Sequence, residues 1–188
     1  MQVVDVLTKQ SSVVKLTGTA ILAALVIVFD FTLKYSGLKI PFPWYPNMKF
    51  DFTGIPIALS LFLYGFPSSV MTSLVAGIGI VARSGNVLSA SMKIAAELST
   101  VIGLHLGMQV VKNGSKYVSW GAGLVSRILV MTVVNLYVLP NLYNVPWEVT
   151  IGLLPLIGVF NAIQGGVTIG LGYFLYEAVR SRLLQLVP

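Results

Sequence analysis

The stretch FTGIPIALSLFLYGFPSSVMTSLVAGIGIVA, Phe52 to Ala82, decides the fold. It carries no charged side chain. A membrane-spanning helix takes about 20 mostly apolar residues, so this stretch is too long for one typical span and short for two. Gly65-Phe-Pro-Ser-Ser69 lies near its middle. Gly and Pro punctuate helices, and Ser caps the helix that follows. The reading is two short helices, roughly 53–65 and 68–83, with one kinked helix as the alternative.

The apolar character continues outward on both sides. Before it, Leu16 to Leu33 is a first span, interrupted late by Asp30. Lys34 to Asp51 is a polar, aromatic connection. Its Pro41, Pro43 and Pro46, joined by Pro56, lock φ and remove donors, which predicts a stiff, non-helical loop. After it, Arg83 to Asn86 turns the chain. Val87 to Val111 is a fourth helix carrying Lys93, Glu97 and His105. Lys112-Asn-Gly-Ser-Lys116 is a turn with an Asn-Gly signal. Tyr117 to Leu139 is a fifth helix, with Arg127 and Asn135 inside. Pro140 to Glu148 is an outer loop. Val149 to Ala178 is a sixth helix, kinked at Pro155 and ended by Arg180 and Arg182. The pattern predicts an all-α integral membrane protein, a bundle of six transmembrane helices in a single domain over 1–188.

Composition agrees. Hydrophobic residues make up 56% and charged residues 10% of the chain, against about 25% charged in a soluble domain, and the mean hydropathy is +0.87. The surface is therefore solvated by lipid. The net charge of +6 comes from cations scattered near the ends of apolar runs, which flank membranes and do not line a nucleic-acid groove. Six spans put both termini on one side. Cytoplasmic termini place Lys9, Lys15, Lys112, Lys116, Arg180 and Arg182 inside, and Lys34, Lys39, Lys49 and Arg83 outside. That is a positive-inside bias for a multi-pass protein of the cell membrane; five spans would instead separate the termini. Met1 to Lys15 has no small-residue cleavage site and reads as retained cytoplasmic sequence.

Catalytic parts are missing. There is no cysteine and one histidine, His105, so disulfides, thiolate sites and histidine-rich metal sites are excluded. No phosphate-binding Gly-rich loop with Lys-Ser/Thr, no Gly-x-Ser-x-Gly and no His-Glu-x-x-His occurs. Neither an enzyme nor a resident cofactor is expected, and active transport would draw its energy from a partner or an ion gradient.

The intramembrane polar residues say more, because a charge at mid-bilayer costs about 2.5–3.5 kcal/mol on insertion scales and so faces protein or a wet cavity. Lys93 and Glu97, spaced i, i+4, can pair with each other or orient the polar ends of a ligand. Asn135, Asn161 and Gln164 suit an uncharged ligand with amide-like edges, or serve as interhelical glue. His105 reads as a packing histidine. The loop from Pro41 to Phe52 presents Trp44, Tyr45, Lys49, Phe50 and Asp51, either as an interfacial aromatic belt or as a lid that stacks on a flat ligand. Small residues spaced by four, Ala20 with Ala24 and Gly166 with Gly170, let another helix approach closely, within this chain or from a partner.

Four passages carry a family resemblance. Ala20-Ile-Leu-Ala-Ala24 resembles the alanine motif of the substrate-binding subunits (S-components) of energy-coupling factor (ECF) vitamin transporters. Lys49-Phe-Asp-Phe-Thr-Gly-Ile-Pro56 is similar to that family's Lys-Phe-Asp-Phe-Ser-Asp-Leu-Pro at the start of helix two, and most of all to the riboflavin-specific members. Asn135-Leu-Tyr-Val-Leu-Pro-Asn-Leu-Tyr143 and Phe160-Asn-Ala-Ile-Gln-Gly165 resemble the ends of helix five and the Phe-Asn-Ile-Ile-Lys-Gly of helix six. The resemblance implies six helices, an outward-open cavity and a lid from the first outer loop. It also implies riboflavin or a flavin as transported ligand, docking of the Ala20/Ala24 face on a coupling transmembrane subunit, and two ATPase subunits driving import. Gln164 stands where the riboflavin pattern has Lys, Gly54 where it has Asp, and Lys93 where an acidic residue is expected, so another water-soluble vitamin is the second candidate. A rival from another class is a stand-alone ion-coupled carrier or channel with Lys93, Glu97, His105 and Arg127 as its polar path.

Overall fold

The computed structural model describes residues 11–110 and 116–185. The expected turn at 112–116 therefore lies almost wholly outside the described residues, as does most of the N-terminal segment. The chain forms α1 (Ser12–Tyr35), β1 (Ile40–Phe42), β2 (Tyr45–Phe50), α2 (Gly54–Tyr64), α3 (Phe66–Ser84), α4 (Val87–Val110), α5 (Lys116–Leu142) and α6 (Trp147–Gln185).

The deciding stretch is two helices. Gly65, at φ +90°, is the single residue between α2 and α3, a conformation a Cβ would disfavour. Pro67 follows within the first turn of α3, where its missing N–H costs nothing. The two are unequal. Five helices, α1 and α3 to α6, are long and apolar enough to cross a membrane. The 11 residues of α2 reach only about 16 Å at 1.5 Å each, half the hydrocarbon thickness of about 30 Å. The described residues thus hold the six helices expected, five of them long enough to span and one, α2, short. Gly54 through Leu61 of α2 are all buried, because α2 runs down the middle of the bundle against α1, α3 and α6.

The all-α expectation holds for the bundle, and the first loop adds one small element to it. It is an antiparallel β-hairpin turning at Pro43-Trp44, with Ile40 opposite Phe50 and Pro41 opposite Lys49; the register shifts between Pro41 and Phe42. A two-stranded ribbon leaves each strand one free edge, so Pro41 sits in it without losing a ladder bond. The α5–α6 connection is shorter than expected, since α5 runs past Pro140 to Leu142 and α6 starts at Trp147.

Each helix reverses the last, so both described chain ends lie at one end of the bundle, the terminal end, and the hairpin at the other. At the terminal end Gly18 of α1 packs on the Tyr64 ring. At the hairpin end buried Asp30 takes Lys39 Nζ at 2.6 Å and Arg83 Nε at 2.7 Å. These bonds tie the hairpin's first strand to α1 and α3. Small residues set the closest helix contacts, as expected where lipid supplies no hydrophobic drive between helices. Gly103 and Gly107 of α4 meet the α5 backbone at Ala122 and Ser119, and Gly172 of α6 meets Ala58 of α2. The expected pair Gly166 and Gly170 faces open space instead.

Candidate functional site

The hairpin delivers aromatics and a carboxylate onto the bundle. Phe42, 1% exposed, and Phe50 both pack against Phe160 of α6, at ring-centre distances of 5.5 and 4.8 Å. Contacts of this kind are worth about 0.5–1.5 kcal/mol each beyond area burial. Tyr45 is half-buried, whereas Lys49 and Trp44 at the turn tip are exposed, Trp44 by 64%. Trp44 touches Phe42 edge-on at 5.1 Å.

Beneath the hairpin runs a chain of buried charges. Asp51 Oδ1 accepts from Lys93 Nζ at 2.9 Å and from the Thr53 hydroxyl and N–H at 2.7 and 3.2 Å. Lys93 Nζ also donates to Glu97 Oε1 at 2.8 Å. That same oxygen takes Arg127 Nη1 at 3.3 Å, and Nη1 also reaches Thr100 Oγ1 at 3.1 Å. Arg127 Nε donates to Asn161 Oδ1 at 3.2 Å. Two carboxylates face two cations, so the network is charge-balanced. Each charge is hydrogen-bonded, the condition on which burial of ions is tolerated. At Asp51 burial alone would raise the pKa. The Lys93 ammonium, by charge and hydrogen bond, outweighs it and holds the carboxyl at about 2, with Lys39 and Thr53 adding to the effect.

Gln164 clamps the backbone at the same place. Its Nε2 donates to Asp51 O at 2.7 Å and its Oε1 accepts from Asp51 N–H at 3.3 Å. This two-point bond fixes where the hairpin ends and α2 begins. Two buried polar atoms, Glu97 Oε2 and Thr168 Oγ1, have no partner among the described residues. They flank Gly54: a Cβ built there would lie 2.9 and 2.5 Å from them.

Of the residues singled out from sequence, the structure joins Asp51, Lys93, Glu97, Asn161 and Gln164 directly, and sets Phe50 over them on Phe160. Asn135 does not join; its Nδ2 donates to Met131 O at 2.7 Å, on α5 about two turns from Arg127. His105 stays apart as well, stacked on Phe66 at 4.7 Å and bonded to Gln109. That is the packing role expected of it and not a link in a polar path. Ala20 and Ala24 are exposed on the outer side of α1, and among the described residues no helix covers them. Sequence reasoning missed Phe42 altogether. It gave Arg127 only to the rival carrier, although an arginine inside an apolar helix is itself a signal of a buried partner.

Fold and site define a multi-pass membrane protein whose polar core is capped by a hairpin. No family model and no curated protein matches the sequence. The chain is similar in fold to the solved S component of a bacterial ECF transporter, with TM-score 0.77 and 21% identity over 92% of this chain and 99% of that one.

Proposed function

We propose that this chain is the substrate-binding S-component of an ECF-type vitamin transporter. It takes riboflavin or a flavin from outside the cell for ATP-driven import by a coupling transmembrane subunit and two ATPase subunits. The observation that carries the reading is the fold shared with a bacterial S component over nearly the whole of both chains, with a hairpin closing on a polar core. The charge balance of Asp51, Glu97, Lys93 and Arg127 favours an uncharged ligand, since a charged one would leave an unpaired ion in a low-dielectric site. Phe42, Phe50 and Phe160 offer a wall for a flat ring. Glu97 Oε2 is an acceptor without a partner among the described residues, suited to a ligand N–H. Trp44 and Tyr45 cover the ring from the hairpin side, Asn135 and Asn161 bond its polar edge, and Lys49 lies at the rim. Gln164 and Gly54, which depart from the riboflavin pattern, keep another neutral vitamin as the alternative ligand. The hairpin end faces outward and both termini face the cytoplasm.

The reading is tested by uptake into proteoliposomes. The purified chain alone is expected to bind ligand without accumulating it, and to accumulate it when ECF coupling and ATPase subunits and ATP are added. Accumulation by the chain alone under an ion gradient would replace this reading with the stand-alone carrier.

A further inference from the structure

At the terminal end, away from the hairpin, a cavity of about 290 Å³ opens between α2, α4, α5 and α6. Its wall includes Phe62, Lys116, Ser119, Trp120, Tyr173 and Tyr176. Lys116 Nζ lies 4.9 Å from the Tyr173 ring centre and 6.0 Å from that of Trp120, within the range of cation–π attraction. The rings hold the ammonium without neutralising it. Lys116 forms no ion pair among the described residues. The nearby acid, Glu177, is engaged elsewhere: it accepts from Tyr173 Oη at 2.6 Å and faces Arg180 at 3.7 Å.

Two further donors near this end have no partner among the described residues. Ser119 is 8% exposed, lines the cavity and makes no side-chain hydrogen bond. Arg180 Nε is buried and unbonded, one helical turn beyond Tyr176 on the same face of α6. Among the described residues the Lys116 ammonium and the Ser119 hydroxyl are the unpaired donors at the cavity, while Arg180, ion-paired with Glu177, keeps one spare N–H a turn beyond the Tyr176 wall, and such donors take an anion. The aromatic walls suit a ligand with an apolar body attached to that anion.

The geometry points to a binding site for the phosphate headgroup of an anionic phospholipid, drawn from the leaflet at the terminal end. Position favours lipid over a protein partner. The exposed Ala20/Ala24 face, the partner face on the proposed function, belongs to α1, which packs mainly on α2 and α3, whereas the cavity is lined by α4, α5, α6 and the end of α2, with no residue of α1. Basic pockets between helices at a membrane surface are a recurrent form of headgroup recognition.

The test uses Trp120 as its own probe. The chain has three tryptophans, so Trp44→Phe with Trp147→Phe leaves Trp120 alone. This background protein is placed in phosphatidylcholine bilayers containing a minor fraction of brominated phosphatidylglycerol or, separately, brominated phosphatidylcholine. Quenching of Trp120 by the anionic lipid is expected to exceed that by the neutral one at least twofold. Lys116→Gln is expected to erase the difference and Lys116→Arg to keep it. Inorganic phosphate in the buffer is expected not to compete. Equal quenching by both lipids, or a preference that survives Lys116→Gln, overturns the proposal. Relief of quenching by inorganic phosphate assigns the site to a free anion and overturns the lipid source. Circular dichroism and the melting temperature of Lys116→Gln guard against misfolding; if that variant unfolds, Ser119→Ala is read in the same assay and must weaken the preference.

Discussion

Lys93 and Asp51 are 42 positions apart in the chain, and Lys93 Nζ lies 2.9 Å from Asp51 Oδ1. This bond, together with the Gln164 clamp, joins the end of the hairpin to the transmembrane bundle. The Asp51 carboxyl is held at about 2, below its ordinary 3.8. A depressed carboxyl contributes stability above its unfolded pKa and loses it as pH falls through the folded one. Melting temperature compared between wild type and Asp51→Asn is therefore expected to differ by a constant amount above about pH 4 and to converge as pH falls toward 2. At 1.36 kcal/mol per pKa unit the contribution is about 2 kcal/mol. A difference that persists unchanged at pH 2 would contradict the latch.

Arg127, 2% exposed, is one of two cations on Glu97, and its removal leaves the Asp51 and Glu97 carboxylates sharing Lys93, with one buried negative charge in excess. Arg127→Met is expected to destabilise the protein by about 3–5 kcal/mol, the usual result of removing one partner from a buried charge network. Adding Glu97→Gln removes that charge, and the double variant is expected to recover at least half of the loss. A double-mutant cycle of thermal denaturation measures the coupling. Additive losses would mean that the two side chains are not energetically paired.

Gly54 is pressed between Thr168 and Glu97. Gly54→Ala places a methyl against Thr168 Oγ1 and Cγ2 and Glu97 Oε2, and overpacking of this kind costs about 1–3 kcal/mol. Thr168→Ala in the same chain clears the larger part of the clash, and the melting temperature is expected to return toward wild type. No rescue would place the strain elsewhere.

Ala20 and Ala24 are exposed alanines one turn apart on α1. Their joint replacement by Trp is expected to leave ligand affinity within about twofold of wild type, since surface changes away from a site move energies by about 0.5 kcal/mol or less. On the proposed function, uptake in the presence of the coupling and ATPase subunits is expected to stop. Binding isotherms and proteoliposome uptake on the same preparation separate the two effects; lost binding by a well-folded double variant would remove α1 from the partner interface.

Local features were legible in the sequence, and long-range ones were not. Gly65 and Pro67 announced the break between α2 and α3, because helix termination is written in the residues that cause it. The i, i+4 spacing of Lys93 and Glu97 announced their pair. The bond from Lys93 to Asp51, and that from Arg127 to Glu97, 30 positions apart, depend on how helices pack, which periodicity does not encode. The hairpin was hidden by its prolines, whose usual meaning is the absence of pairing. The spacing of Gly166 and Gly170 suggests a contact face, yet Gly165 and Gly172 are the glycines that pack, on Leu124 and Ala58, because apolar residues recur around α6 and its sequence does not tell a packed face from a lipid-facing one.

The most direct measurement is the absorption spectrum of the detergent-purified chain, with mass spectrometry of whatever denaturation releases. On the proposed function the ligand is held tightly enough to be carried through purification. A yellow protein releasing riboflavin is the expected result; a colourless protein releasing another neutral vitamin keeps the subunit and changes the ligand. A protein that releases nothing, and whose melting temperature no vitamin raises, would contradict the account.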